Sequence, residues 1–83
     1  MSTVIIYTTS WCPYCTRAKK LLDQKDVSYT DINVSEHDAR SKMVVLTGGR
    51  TVPQVLINDH PIGGCDELYA LERSGKLDKL LSK

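Results

Sequence analysis

Two kinds of hydrophobic spacing follow one another along this chain, one typical of buried strands and one typical of amphipathic helices. A continuous apolar run at residues 3–7 predicts a buried, central strand, and residues 13–25 follow it with helical spacing. The inward face of the predicted helix carries Cys15, Ala18, Leu21 and Leu22. Its outward face carries Arg17, Lys19, Lys20 and Asp23.

Shorter elements follow in the rest of the chain. They are, in order, a strand, a helix, two strands and two helices, at residues 27–34, 35–47, 54–57, 60–62, 65–73 and 77–81. Ser35 is predicted to cap the second helix and Gly48 to end it. Pro61 has no amide to donate, which places the fourth strand at an edge of the sheet.

The order β-α-β-α-β-β-α, with a short C-terminal helix, predicts an α/β fold. The first unit requires two parallel strands joined by a crossover helix, and the later hairpin extends the same sheet in the antiparallel sense. We therefore expect a single domain, residues 1–83, with a thioredoxin-like architecture. Its four-stranded mixed sheet is flanked by helices on both faces.

Two cysteines, Cys12 and Cys15, lie where the first strand passes into the first helix. A free thiol titrates at about 8.5, so little of it is the nucleophilic thiolate at neutral pH. The first amides of a helix lack intrahelical acceptors and carry positive partial charge, and Pro13 suits the first helical position. We predict that Cys12 is an exposed nucleophile stabilised as a thiolate. Cys15, one turn on and more buried, is predicted to resolve the intermediate.

Composition narrows the partners and the compartment. The formal net charge is +1 and no basic block is visible, which argues against nucleic acid as a partner. The sequence shows neither a secretory leader pattern nor an apolar run long enough for a membrane span. We expect a cytoplasmic monomer. Three cysteines in a reducing compartment indicate catalysis rather than a disulfide framework.

Three motifs together resemble the glutaredoxin family in their order and spacing. They are Cys-Pro-Tyr-Cys at 12–15, Thr-Val-Pro at 51–53 and Gly-Gly-Cys-Asp at 63–66. The resemblance covers essentially the whole chain and is strongest to the short bacterial dithiol members. It implies a redox-active pair formed by Cys12 and Cys15, glutathione as co-substrate, and no metal.

The resemblance also implies how glutathione binds. The residue matching Pro53 has a cis peptide bond, and Val52 offers its backbone to the cysteine of the ligand. The amides of Cys65 and Asp66 take the γ-glutamyl carboxylate, and the Asp66 carboxylate takes the ammonium. The complete implied set is Tyr14, Arg50, Thr51, Val52, Pro53, Gly64, Cys65 and Asp66.

Two residues depart from the family pattern near the predicted nucleophile. Thr9 stands where many relatives carry a lysine, and the loss of that lysine should either weaken carboxylate binding or shift it onto Arg50, a side chain able to bind the glycyl carboxylate bidentately. Trp11 replaces a smaller polar residue and leaves two roles open. It could shield the thiol, or it could dock protein substrates.

The implied activity is glutathione-dependent thiol–disulfide exchange by two routes. In the one-thiol route, Cys12 takes glutathione from a protein–glutathione mixed disulfide, and a second glutathione frees it. In the two-thiol route, Cys12 attacks a protein disulfide, Cys15 resolves the intermediate, and glutathione reduces the resulting disulfide. By family analogy alone, the protein substrates include ribonucleotide reductase.

Three other interpretations use the same cysteines. A zinc site would need further ligands with their own spacing, and Cys65, His37 and His60 form no such pair. A thioredoxin-like reductase would be served by a flavoprotein. An iron–sulfur carrier would hold a cluster between Cys12 of two chains and two glutathiones. Cys65 itself is either a small buried residue or a regulatory thiol beside the groove.

Overall fold

A computed structural model describes residues 3–81 of the chain. Its elements follow the predicted order. They are β1 (Val4–Thr8), α1 (Pro13–Gln24), β2 (Thr30–Asn33), α2 (His37–Thr47), β3 (Gln54–Ile57), β4 (His60–Gly63), α3 (Cys65–Arg73) and α4 (Lys76–Leu80). The bounds of β3 and α3 are those expected from the hydrophobic spacing.

The four strands form one mixed sheet in the order β2-β1-β3-β4. Strand β1 pairs in parallel with β2 and antiparallel with β3, and β3 and β4 form an antiparallel hairpin. Strand β1 is central and almost entirely buried, as its continuous apolar run predicted. Pro61 lies on β4 at an edge of the sheet, where a missing amide costs no ladder hydrogen bond.

Apolar side chains cover both faces of the sheet and hold the helices there. The larger cluster joins β1 and β3 to α1, α3 and α4, and its core is Val4, Ile6, Ala18, Leu21, Leu22, Val55, Ile57, Cys65, Leu68, Leu77 and Leu81. The smaller cluster joins the opposite face to α2 and contains Tyr7, Val34, Met43 and Leu56. Each fully buried aliphatic side chain contributes about 1.5–3 kcal/mol, so the two clusters fix α1 and α2 on opposite faces.

The region around β2 differs from the prediction. The strand is shorter than residues 27–34, and Glu36, not Ser35, precedes the first turn of α2, with no side-chain capping bond. The cause is Asn33, whose Oδ1 accepts a hydrogen bond from the Ser35 amide at 2.8 Å. This turn ends β2 and keeps Ser35 outside the helix. Gly48 ends α2 in the left-handed conformation, as predicted.

The segments that carry the three sequence motifs meet at one end of the sheet. The carboxyl end of β1, the amino end of β3 and the carboxyl end of β4 share that end because neighbouring strands in this series are antiparallel. The Cys-Pro-Tyr-Cys motif follows β1, the Thr-Val-Pro motif precedes β3, and the Gly-Gly-Cys-Asp motif follows β4.

Candidate active site

Cys12 is the N-cap residue of α1. Its backbone is extended, with φ −136° and ψ 100°, and Pro13 takes the first helical position. The amide of Cys15 donates to Cys12 Sγ at 3.1 Å, so a first-turn amide points at this sulfur, as expected. Cys12 is a free, partly exposed thiol, and it can therefore be reached by a substrate.

Cys15 lies one turn further along α1, and only 2% of it is exposed. Burial and a hydrogen bond to Cys12 raise the pKa of Cys15 to about 12, against the opposing effects of the Thr9 backbone amide and the Lys19 charge. Its thiol is therefore protonated at neutral pH. The surroundings of the two cysteines differ as the sequence predicted.

A cavity of about 330 Å³ opens beside the nucleophile. It is lined by Tyr14, Thr51, Val52, Pro53, Gly64, Cys65, Asp66 and Glu67. Every residue of the set that the resemblance implied is among them except Arg50. The Val52–Pro53 peptide bond is cis, as expected. Cys12 Sγ lies 3.8 Å from the carbonyl oxygen of Val52, which connects the thiol to the cavity wall.

The first turn of α3 forms the other wall. Gly64 is the N-cap residue, and its amide donates to Glu67 Oε1 at 2.7 Å. The amides of Cys65 and Asp66 follow, and such first-turn amides have no acceptor within the helix. A helix terminus of this kind carries positive partial charge and suits a carboxylate.

The sequence analysis did not assign Glu67 to the site, although the sequence contains a signal for it. A glutamate three residues after an N-cap position is the second half of a capping box, and its side chain turns back towards the cap amide. Gly64 also has a structural requirement, because a Cβ there would lie 3.2 Å from the backbone oxygen of Pro53. A larger residue would separate the two walls.

Arg50 lies outside this cavity. It lines a neighbouring cavity of about 400 Å³ with His37, Arg40, Ser41 and Val44. The Arg40 side chain donates from Nε and Nη2 to the Arg50 carbonyl oxygen, at 3.4 and 3.2 Å. The sequence analysis gave no role to Arg40, because helical spacing does not reveal which loop a side chain will reach.

Cys65 is the first residue of α3 and is 5% exposed. It packs in the larger apolar cluster while also contributing to the cavity wall. Burial raises the pKa of its thiol, an effect that the charge of Arg17 opposes. This environment is that of a small buried residue.

Trp11 precedes the nucleophile, and 95% of it is exposed. A side chain so fully in solvent covers little of its surroundings, so the shielding role considered for Trp11 is wrong. The docking role stays a prediction. Tyr14, by contrast, is 56% exposed and contributes part of its surface to the cavity.

Lys19 is not the outward-facing residue that helical spacing predicted. Its Nζ pairs with Asp31 Oδ2 at 2.5 Å, and its side chain is 32% exposed. The other oxygen of the same carboxylate, Oδ1, accepts a hydrogen bond from the buried Thr8 hydroxyl at 2.6 Å. Burial alone would raise the pKa of Asp31, but the hydrogen bonds from Lys19 and Thr8 and the Lys19 charge outweigh it and hold the pKa below its usual range.

Residues 3–81 contain neither a metal-binding cluster nor a membrane-spanning helix. In that range, no group of three or more His, Cys, Asp or Glu side chains is arranged to hold a metal ion. No helix in the same part of the chain has the length and apolar character needed to cross a membrane.

Comparison with known proteins gives consistent matches. The sequence model described as Glutaredoxin matches residues 4–62. A Glutaredoxin of Pseudomonas aeruginosa is 51% identical over 83 residues, which span 99% of both chains. Glutaredoxin 3 of Escherichia coli K12 is 49% identical over 82 residues, covering 98% of this chain and 99% of the relative.

Solved structures share the fold as well. The crystal structure of a buckwheat glutaredoxin–glutathione complex superposes with a TM-score of 0.87 at 36% identity, covering 98% of this chain and 77% of that one. The solution structure of a glutaredoxin from Brucella melitensis gives a TM-score of 0.84 at 49% identity, covering 95% of this chain and 87% of that one.

Proposed function

Since this chain belongs to the glutaredoxin family and is a thiol–disulfide oxidoreductase, we propose that it draws its electrons from glutathione. The observation that carries the proposal is the 330 Å³ cavity beside Cys12, with the segment that leads into β3 on one wall and a helix N-terminus on the other. A relative of the same fold, from buckwheat, was crystallised as a complex with glutathione.

The chemistry of the cavity matches that of the ligand. Glutathione is a tripeptide with a γ-glutamyl carboxylate and ammonium at one end, a central cysteine, and a glycyl carboxylate at the other end. The amides of Cys65 and Asp66 suit the γ-glutamyl carboxylate, and the exposed Asp66 carboxylate suits the ammonium. Val52 can pair its backbone with the central cysteine, which brings the ligand sulfur near Cys12.

The glycyl end of the ligand would then point towards the neighbouring cavity of Arg40 and Arg50. Arg50 directly precedes Thr51, a residue of the first cavity, so the two cavities adjoin along the chain. Arg50 remains our candidate for the glycyl carboxylate. Arg40, whose side chain binds the Arg50 carbonyl, holds this segment in place.

In the one-thiol route, the Cys12 thiolate attacks the glutathione sulfur of a protein–glutathione mixed disulfide. The new bond joins Cys12 to glutathione, and the protein leaves as a thiolate that takes a proton from solvent. A second glutathione thiolate attacks the glutathione sulfur on Cys12. Glutathione disulfide leaves and Cys12 is regenerated. One added glutathione is consumed, and the other half of the glutathione disulfide is the glutathionyl group that came from the substrate.

The setting of this activity is a further part of the proposal. A glutathione-driven reaction needs a reducing pool, so we propose a cytoplasmic location. We also propose that disulfide-containing and glutathionylated proteins are the substrates and that the chain acts as a monomer.

Purified glutathionylated protein, incubated with glutathione and this chain, would release its glutathione if the proposal is right.

Asp66→Asn tests the glutathione site directly. It removes one charge of a partly exposed ion pair, worth about 1 kcal/mol or less, so we expect the KM for glutathione to rise by up to about fivefold with kcat little changed. The assay couples mixed-disulfide reduction to glutathione reductase and NADPH. Asp59→Asn is the matched control, because Asp59 is an exposed residue with positive φ in the β3–β4 turn, at the far end of the hairpin.

Equal KM values for Asp66→Asn and Asp59→Asn would contradict the placement of the ligand. Turnover with thioredoxin reductase in place of glutathione would contradict the choice of electron donor.

A further inference from the structure

The Asp31 carboxylate binds the side chains of Thr8 and Lys19. Thr8 precedes a residue that acts on the resolving thiol of Cys15, and Lys19 acts on that thiol itself. One carboxylate oxygen accepts from the Thr8 hydroxyl at 2.6 Å, and the other pairs with Lys19 Nζ at 2.5 Å. Thr8 is followed by Thr9, whose backbone lowers the pKa of the Cys15 thiol. Lys19 lies four residues after Cys15 on α1, one turn away on the same helix face.

The register of the sheet explains how a strand carboxylate reaches this helix. Asp31 of β2 pairs with Ile6 of β1 in the parallel register. Paired residues share a face, and Ile6 packs in the cluster beneath α1. Asp31 is therefore on the α1 side of the sheet. As β2 is an edge strand, the carboxylate can stay partly solvated while it holds Lys19.

Lys19 and Asp31 are both ionised at neutral pH. The hydrogen bond to Asp31 raises the pKa of Lys19, and the pKa of Asp31 is held low. Cys15 meets four influences: burial and Cys12 raise its pKa, whereas the Thr9 amide and the Lys19 charge lower it. Lys19 pairs with Asp31 directly, and Thr9 follows Thr8, whose hydroxyl binds the same carboxylate. Both effects that lower the pKa of Cys15 therefore come from residues connected to Asp31.

We propose that Lys19, anchored by Asp31, is a positioning residue for the two-thiol route, where it holds a fixed positive charge one helical turn from Cys15. The inference rests on the proposed function, because it concerns the second step of that exchange. Lys19 does not touch the reacting sulfurs. It acts through Cys15, because the positive charge of Lys19 favours the ionised form of that thiol.

The step that Lys19 assists is the attack of Cys15 on a mixed disulfide at Cys12. Cys15 first gives its proton to solvent. The thiolate then forms a bond to Cys12 Sγ as the bond between Cys12 and the substrate sulfur breaks, and the electron pair leaves with the substrate thiolate. That thiolate takes a proton from solvent. The enzyme dithiol is oxidised to a disulfide and the substrate disulfide is reduced.

Other charged groups face this arrangement and must be considered. Tyr29, just before β2, interacts electrostatically with Lys19 and with Asp23 of α1. Both can alter the field around Lys19. Neither is among the groups that act directly on Cys15.

Lys19→Met is the main test, with Lys20→Met as the matched control. Lys20 is the next residue, is exposed, and carries the same charge. Reduced protein is mixed with saturating glutathione disulfide at a series of pH values. Each reaction is quenched in acid, and mass spectrometry measures the loss of the glutathione adduct. Saturation makes the resolving step rate-limiting.

We expect Lys19→Met to shift the pH profile of resolution to higher pH and to slow the step at pH 7, by no more than about threefold for each unit by which the pKa of Cys15 rises. A tenfold loss of thiolate for one pKa unit is offset by about threefold because a more basic thiolate is more nucleophilic. Lys19→Arg should restore the profile. Lys20→Met should match the unmodified protein.

An identical pH profile for Lys19→Met and Lys20→Met overturns the inference. The inference is also overturned if adding Lys19→Met to the Cys15→Ser protein slows one-thiol turnover as much as Lys19→Met slows resolution. That result would indicate general damage to the fold. Failure of the proposed function has a different signature: Cys15→Ser protein would then form no glutathione adduct on Cys12 at all.

Discussion

The two active-site cysteines lie one helical turn apart and in opposite surroundings. Cys12 caps α1 at the mouth of a cavity, partly exposed, with one amide pointing at its sulfur. Cys15 lies beneath it, 2% exposed, with a pKa raised to about 12. The same helix end thus presents one thiol to solvent and keeps another out of it.

This difference comes from the neighbours of each cysteine and not from the motif alone. Above Cys12 are the Val52 carbonyl and the open cavity. Cys15 instead meets the Thr9 backbone at the end of β1 and the field of Lys19. The same helix N-terminus therefore offers an amide to the accessible sulfur of Cys12, while the surrounding fold buries the sulfur of Cys15.

Replacing each cysteine by serine is the strongest way to break the comparison. Cys12→Ser removes the nucleophile of both routes, so we expect a loss of roughly a thousandfold or more in all activity. Cys15→Ser should keep one-thiol turnover within about twofold, since that route never uses Cys15, and lose reduction of protein disulfides. Turnover of a glutathionylated peptide and of a disulfide protein, measured in parallel, separates the two.

If Cys15→Ser also abolished removal of glutathione from the peptide, the division of roles would be wrong. Cys65→Ser is a useful companion, because the buried environment of Cys65 leads us to expect unchanged turnover on both substrates.

Alkylation measures the same contrast without mutation. With iodoacetamide at pH 7, the folded, reduced protein should be modified at Cys12 first, while Cys15 stays unmodified. A pKa of about 12 lies about three units above that of an ordinary thiol, which slows alkylation by tens of fold even after the gain in nucleophilicity is allowed for. Peptide mapping by mass spectrometry gives the order of modification.

Modification of Cys15 should increase as the pH rises towards its pKa, and all three thiols should react alike in denaturant. Equal rates for Cys12 and Cys15 in the folded protein at pH 7 would refute the contrast.

The smallest expected effect concerns Asp31, whose partner Lys19 lies one helical turn from Cys15. Its pKa is lower in the folded chain than in the unfolded one, so its contribution to stability is present above the unfolded value of about 3.9 and is lost as the pH falls through the folded value. Asp31→Asn should therefore reduce the difference in unfolding free energy between pH 7 and pH 2.5 by about 1 kcal/mol at most.

Urea unfolding at the two pH values measures this difference, with Asp59→Asn as the control. An unchanged difference for Asp31→Asn would mean that the ion pair contributes nothing to the acid sensitivity of the fold.

Hydrophobic spacing was sufficient for most of the fold. Residues 54–57 and 65–73 are β3 and α3 with the predicted bounds, because strong apolar periodicity lies between clear turn residues. The start of α2 was predicted at the wrong residue, since the choice between Ser35 and Glu36 depends on a hydrogen bond from the Ser35 amide to Asn33, the last residue of β2. Local capping patterns do not contain that information.

The cavity could be predicted further than its surroundings. Its walls are short contiguous motifs, so the family resemblance identified all of the lining residues except Glu67. Lys19 and Arg50 were less predictable, because their neighbours depend on strand register and on how α2 meets the loop before β3. Side chains that reach another element are determined by tertiary geometry, which spacing along one helix does not encode.

Both walls of the cavity are attached to a single β-hairpin. The Pro53 segment leads into β3, Gly64 follows β4, and the close approach between the Pro53 oxygen and Gly64 fixes their separation. The separation of these two walls is consequently a property of the hairpin, while α1 contributes Tyr14 to the lining. Neither strand of the hairpin carries Cys12 or Cys15, so the choice of ligand and the chemistry of the sulfurs are assigned to different elements of the fold.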